Sequence, residues 1–179
     1  MRYNIADLQG QGKELFFMKD LEHASINGVE IHNLAEQDND ETLLYSGEIW
    51  LDGKKIGNLT ETESGMDIEV EPEAEDTLSE RVASYLNAVT EDDEEDGEDD
   101  DFEMNQDVFF EDLIELELYL PAFKEGVKEG YGCLLVNYTN EGVDVFSVES
   151  EDEVENIARE NNLTNFQTFY ELDHFVINC

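Results

Sequence analysis

Leu43-Leu-Tyr-Ser-Gly-Glu-Ile-Trp-Leu51, then Asp52-Gly53, then Lys54-Lys-Ile-Gly-Asn-Leu59 reads as two strands joined by a two-residue turn. Asp-Gly between apolar runs favours a turn with positive φ at both central residues, whose twist matches that of the flanking strands. Upstream, Asn27-Gly28 sends the same signal between Glu14-Leu-Phe-Phe-Met18 and Val29-Glu-Ile-His-Asn-Leu34. Two consecutive hairpins predict an antiparallel sheet over the first sixty residues.

The rest of the chain alternates helix and strand signals. Thr77–Val89 predicts a helix, with Thr77 as N-cap, Glu80 at the capping-box position, and an apolar stripe of Leu78, Val82, Tyr85, Leu86 and Val89. Residues 107–120 predict a second helix that ends at Pro121. Gly132–Thr139 and Val143–Val148 pair as a hairpin across residues 140–142. Ser150 caps a short helix over Glu151–Asn161 with Glu153 at the box position, and Phe166–Ile177 closes the fold as a final strand. The expected class is α+β, with antiparallel sheets of hairpins, two to four helices and an acidic central segment. The expected division is a β-rich unit with a closing helix over 1–90, an acidic linker over 91–106, and a helix plus β-hairpin–helix–strand unit over 107–179.

The charge is unusual. The 179 residues hold 48 Asp and Glu against 9 Lys and Arg, a formal charge of −39. Residues 61–120 alone carry 25 acids and one base, Arg81. A polyanion of this density does not bind nucleic acid or an anionic membrane directly. Brine-adapted proteins spread acids over every face and economise on large apolar residues, whereas here the acids cluster and 40% of residues are hydrophobic. Cys133 and Cys179 make no disulfide framework, and neither the N-terminal stretch nor any later one has the apolar length of a signal peptide or membrane span. The expectation is a cytoplasmic protein, in the host cytoplasm if it is phage-encoded.

Catalytic signatures are missing. The sequence has no glycine-rich phosphate loop, no Cys-x-x-Cys pair and no nucleophile elbow. His23, His32 and His174 have no partner at ligand spacing. The reading is therefore no enzyme and no cofactor. Asp92, Glu94, Asp96, Gly97 and Glu103 match the spacing of a calcium-binding EF-hand loop. Glu replaces Asp or Asn at the third position, Asp99 replaces the apolar eighth, and no second loop exists, so calcium binding stands as a subordinate alternative. The run 91–103 has 11 acids in 13 residues and reads as a solvated linker.

Spacing carries more information. Phosphates recur at about 6–7 Å along one DNA strand, and strand residues i and i+2 lie ~6.6 Å apart on one face. Asp67, Glu69, Glu71, Glu73 and Glu75, read as one strand, would form a row of that pitch, with Ile68, Val70 and Ala74 turned inward. Asp76 extends the row. Glu111 and Glu115, with Asp112, add a helical set at about 5–6 Å, while Asp99, Asp100 and Asp101 lie in the acidic run. An exposed strand edge kept soluble by charge would look similar.

With these residues in view, the chain resembles the acidic DNA-mimic proteins of phages and mobile elements, which are alike in charge distribution rather than in motif. The YSGEIWLDGKKIG stretch, about a tenth of the chain, is also similar to segments of small phage and bacterial proteins and implies no activity. The DNA-mimic resemblance implies an anti-restriction or other anti-defence role. Such an inhibitor would occupy the cationic cleft of a restriction, CRISPR, repair or nucleoid protein, with Phe102 or Phe109 as candidate anchors, core packing being the favoured role of Phe109, and a homodimer as a way to lengthen the surface. The competing expectation is an acidic adaptor or chaperone that shields a basic protein.

Overall fold

The computed structural model describes residues 21–39, 42–91, 106–140 and 142–179. The fold is α+β; among the described residues it has a six-stranded mixed sheet, a three-stranded antiparallel sheet and three helices. The strands of the larger sheet are β1 (Ser25–Ile26), β2 (Val29–Asn39), β3 (Thr42–Leu51), β4 (Lys54–Thr62), β5 (Gly65–Val70) and the late strand β9 (Val176–Ile177). Their order is β5-β4-β3-β2-β1-β9, antiparallel except for the parallel β1–β9 pair. The helices are α1 (Glu75–Glu91), α2 (Gln106–Glu129) and α3 (Glu151–Asn161). The small sheet, in the order β7-β6-β8, contains β6 (Cys133–Thr139), β7 (Gly142–Val148) and β8 (Phe166–Phe169).

Both turn signals are realised. Asn27 and Gly28 have φ of 50° and 75°, and Asp52 and Gly53 have 48° and 80°. These left-handed values explain why Asn, Asp and Gly stand there. Glu14–Met18 lies outside the described residues.

The chain forms two compact units. The larger comprises residues 23–117 and 176–179, and the smaller comprises residues 118–175 together with residues 21–22 of the described chain. The division passes through α2, whereas the sequence reading placed it in the acidic segment 91–106, most of which lies outside the described residues. In the larger unit, alternation buries Val29, Ile31, Ile49, Leu51, Ile56 and Leu59 on one face of the sheet. Leu78, Val82, Tyr85 and Leu86 of α1 and Phe109, Phe110 and Leu113 of α2 are also buried. In the smaller unit, Tyr119, Leu120 and Phe123 of α2 are buried, as are Leu134, Val136 and Phe169. Phe169 stacks on Phe175 at 4.8 Å. The other face of the small sheet packs Cys133, Leu135 and Val148 against Val154 of α3.

Four local expectations are corrected. Helix α1 begins at Glu75, and the carbonyl of Ala74 accepts the Leu78 N–H at 2.9 Å, so Thr77 is inside the helix and not its cap. Helix α2 continues through Pro121, because Leu120 and Phe123 on either side of the proline are buried in the smaller unit. Burial of those flanking side chains offsets the missing N–H. Ser150 holds the N-cap position of α3, yet its hydroxyl makes no cap bond; the Glu153 carboxylate instead accepts the Glu149 N–H at 3.2 Å. The single closing strand expected over 166–177 is two strands, β8 and β9, in different sheets, separated by a 3-10 turn at Leu172–Phe175.

The cysteines differ chemically. Cys133 is buried, and burial pushes its thiol up to about 11, while Cys179 is exposed. The thiolate is the reactive form. At pH ~7.5 the native chain should therefore titrate one thiol rapidly with a disulfide reagent, and the second only after denaturation. Two fast equivalents would contradict the packing of β6.

Candidate polyanionic surface

The carboxylates on β5, at the end of the larger sheet, are positioned by strand pairing. Strand β5 pairs with β4 through Thr60↔Asp67, Leu59↔Ile68, Asn58↔Glu69 and Gly57↔Val70. Leu59 is buried, so Asp67 and Glu69 fall on the opposite, outward face, where both are exposed. Gly57 allows this close pairing, since a Cβ there would collide with the Glu69 carbonyl and with Val70. The Glu71 N–H still donates to the Ile56 carbonyl at 2.8 Å, but Pro72 has no N–H to extend the ladder. The chain then turns, with the Ala74 N–H on the Glu71 carbonyl at 2.9 Å.

The extended row of five is therefore not formed. Asp67, Glu69 and Glu71 follow the strand direction at ~6.6 Å steps. Glu73 lies in the turn, and Glu75 and Asp76 occupy the first turn of α1, where the helix dipole favours negative charge. All six are exposed. Among the described residues, Asp67, Glu69, Glu73, Glu75 and Asp76 have neither an ion pair nor a hydrogen-bonded side-chain partner. Glu71 meets Lys54 at 3.0 Å in a solvent-exposed pair, of a kind worth ~0–1 kcal/mol. Arg81, the one base of the middle third, is directed elsewhere: it donates to the Asn27 carbonyl at 3.1 Å and to Asp52 at 3.2 Å.

Register extends the outward face beyond what the sequence reading included. Glu69 pairs with Asn58, Asn58 with Glu48, and Glu48 with His32, so a polar row crosses β5, β4, β3 and β2. Next to it, His32 stacks on Trp50 at 4.3 Å and on His23 at 3.7 Å. Each ring is tied to a carboxylate: His23 Nδ1 to Glu117 at 2.8 Å, His32 Nε2 to Glu30 at 2.7 Å, and Trp50 Nε1 to Glu48 at 3.3 Å. A carboxylate only accepts, so the ring nitrogens donate. Glu117 also accepts the Ala24 N–H at 2.8 Å. Period-two alternation could have grouped Glu30 with His32 and Glu48 with Trp50. The cross-strand register that joins the pairs, and the contact to Glu117, are long-range features. Ring-nitrogen lone pairs lie in the ring planes, so two imidazoles stacked 17° from parallel do not converge on one metal ion. Among the described residues no group of three or more His, Cys, Asp or Glu is arranged to hold a metal.

The helical acids serve in part as structural groups. Asp112 accepts the Tyr85 hydroxyl at 2.8 Å, and Asp107 accepts the Met66 N–H at 3.3 Å. Glu111 is exposed and Glu115 half-buried. Phe109 is fully buried, edge-on to Tyr85 and Phe110, so it is a core residue and not a partner anchor. Phe102, Asp99, Asp100 and Asp101 lie outside the described residues, as do the EF-hand-like positions Asp92, Glu94, Asp96 and Glu103.

Desolvation, partial at the exposed Glu111 and stronger at the half-buried Asp112 and Glu117, holds these carboxyls above their ordinary values. Asp107 and Glu61 add repulsion at Glu111, while Tyr85 and His23 pull Asp112 and Glu117 partly back. Each raised carboxyl binds its proton more tightly folded than unfolded, so folding gains stability as pH falls toward the ordinary values of 4.5 and 3.8. Glu48 is shifted the other way, chiefly by its hydrogen bond from Lys55, and its contribution is lost only below 4.5. Calorimetry should show Tm rising as pH falls from ~7.5 toward ~5. A falling Tm over that interval would contradict the burial of these groups.

Comparison of the chain with protein-family models, with curated proteins and with solved structures finds no match. Among the described residues no helix is long and apolar enough to cross a membrane.

Proposed function

We propose that the chain is a non-enzymatic DNA mimic, which occupies the phosphate-binding cleft of a host DNA-binding protein, foremost a defence enzyme, and blocks it competitively. The observation that carries this reading is the set of exposed carboxylates from Asp67 to Asp76, five of them without a partner among the described residues. Self-repulsion among such groups is a standing cost that lysines and arginines of a DNA-reading cleft would relieve. Pairing with β4 and the start of α1 fix the backbone beneath these side chains, which favours a shaped surface over a diffuse polyanion.

The test is displacement of a fluorescent DNA duplex from a panel comprising a restriction enzyme, a CRISPR effector, a repair glycosylase and a nucleoid protein. The proposal expects stoichiometric displacement from at least one member, reversed by excess duplex. Failure to displace the duplex from any member at low salt, or displacement no better than that by polyglutamate of equal charge, would contradict it.

A further inference from the structure

The four exposed large apolar side chains among the described residues, Val143, Val145, Phe146 and Phe166, all belong to the three-stranded sheet. Three of them stand on β7, an edge strand that among the described residues pairs only with β6. Exposed apolar edges invite further pairing, and proteins ordinarily blunt them with lysine, proline or a bulge. The sequence of β7, GVDVFSV, contains no lysine or proline and a single charge, Asp144, and its pairing with β6 runs from Cys133↔Val148 to Thr139↔Gly142 without a register shift.

The two faces of β7 differ in a way that specifies what could pair there. Val143, Val145 and Ser147 share one face with Val136 and Leu134, and on that face Gly126 of α2 abuts Ser147. Asp144, Phe146 and Val148 share the other face with Leu135 and Cys133, the face that α3 covers through Val154. The first turn of α3 supplies Glu151, Asp152 and Glu153, all exposed. A strand added alongside β7 would thus meet apolar groups on one face, and a carboxylate, an aromatic ring and an acidic helix end on the other. Lysine or arginine fits that second face through ion pairing and contact with the Phe146 ring.

We propose that the outer edge of β7 docks an extended segment of a partner protein in which Lys or Arg alternates with apolar residues. Main-chain hydrogen bonds would supply affinity, and the two unlike faces would supply register. The proposal does not depend on the reading of the β5–α1 carboxylates, which belong to the other unit. Charge decides against a second copy as the occupant, because each chain carries −39.

The experiment titrates the full-length chain with a capped octapeptide in which lysine and valine alternate. A block isomer of the same composition, all its lysines preceding all its valines, is the control, and both titrations use ~0.3 M NaCl to screen non-specific attraction. Amide hydrogen exchange is followed in parallel. The alternating peptide is expected to bind at least about tenfold more tightly than the isomer and to protect the amides of Asp144–Ser147. Val143→Lys with Val145→Lys is expected to remove that preference. Equal binding of the two peptides without β7 protection would overturn the proposal. So would a wild-type dimer in light scattering that Val145→Lys dissociates, which would make a second copy the occupant. Peptide binding that appears only with Phe16→Lys and Phe17→Lys would assign the edge to the chain's own N-terminal segment and overturn it equally. The exchange measurement on the wild-type chain decides the matter even if a variant fails to fold.

Discussion

Replacing Asp67, Glu69, Glu71, Glu73, Glu75 and Asp76 together by their amides is expected to weaken binding to a cleft-bearing partner by at least about 100-fold, or ~2.7 kcal/mol. The six side chains are exposed, and only Glu71 holds an ion pair, so the fold loses little when their charge is removed. Relief of repulsion along β5 favours folding. Loss of negative charge at Glu75 and Asp76, in the first turn of α1, opposes it by about 0.3–1 kcal/mol per site. Melting should therefore change far less than binding. The informative comparison is a second chain in which the acids of 91–103 are neutralised instead. If only that second variant lost affinity, a diffuse acidic shield, the adaptor or chaperone reading, would replace the mimic.

The second large effect is on stability. Phe109→Ala removes a fully buried ring that packs edge-on to Tyr85 at 5.5 Å and to Phe110 at 5.1 Å. Truncating a buried phenylalanine costs about 3–5 kcal/mol, through lost transfer energy and the cavity left behind. In a chain of this size that corresponds to a fall in Tm of about 10 °C, measured by calorimetry. Partner affinity, measured well below the transition, should stay near wild type. A variant that melted normally but bound poorly would return Phe109 to the role of anchor.

Local signals were legible where they were chemically specific. Asn27-Gly28 and Asp52-Gly53 demanded left-handed turns and produced them, and the stripe Leu78, Val82, Tyr85 and Leu86 placed the buried side of α1. The corrections arose where tertiary packing overrode a local rule. Pro121 reads as a helix stop, but Leu120 and Phe123 beside it are buried and the helix runs on. Phe166–Ile177 has the composition of one strand, yet the 3-10 turn that buries Phe175 sends Val176 and Ile177 to pair with β1.

The candidate surface was half legible. Alternation identified Asp67 and Glu69 as one face of a strand, but it could not foresee that Pro72 would end the row and turn Glu73 away. It also missed Glu48 and Glu30, because their grouping with Glu69 depends on the register of four strands rather than on sequence spacing. Structural roles for the half-buried Asp112 and Glu117 were equally invisible, since their partners Tyr85, His23 and Ala24 are remote in sequence.

The measurement that bears most directly on the mimic is the affinity for a displaced DNA-binding partner as NaCl rises from ~0.05 to ~0.5 M. If carboxylates substitute for phosphates, affinity should fall steeply as the charges are screened, and the slope should flatten in the six-amide variant. An affinity that holds constant across that range, or a slope the variant leaves unchanged, would contradict the claim that these carboxylates do the binding.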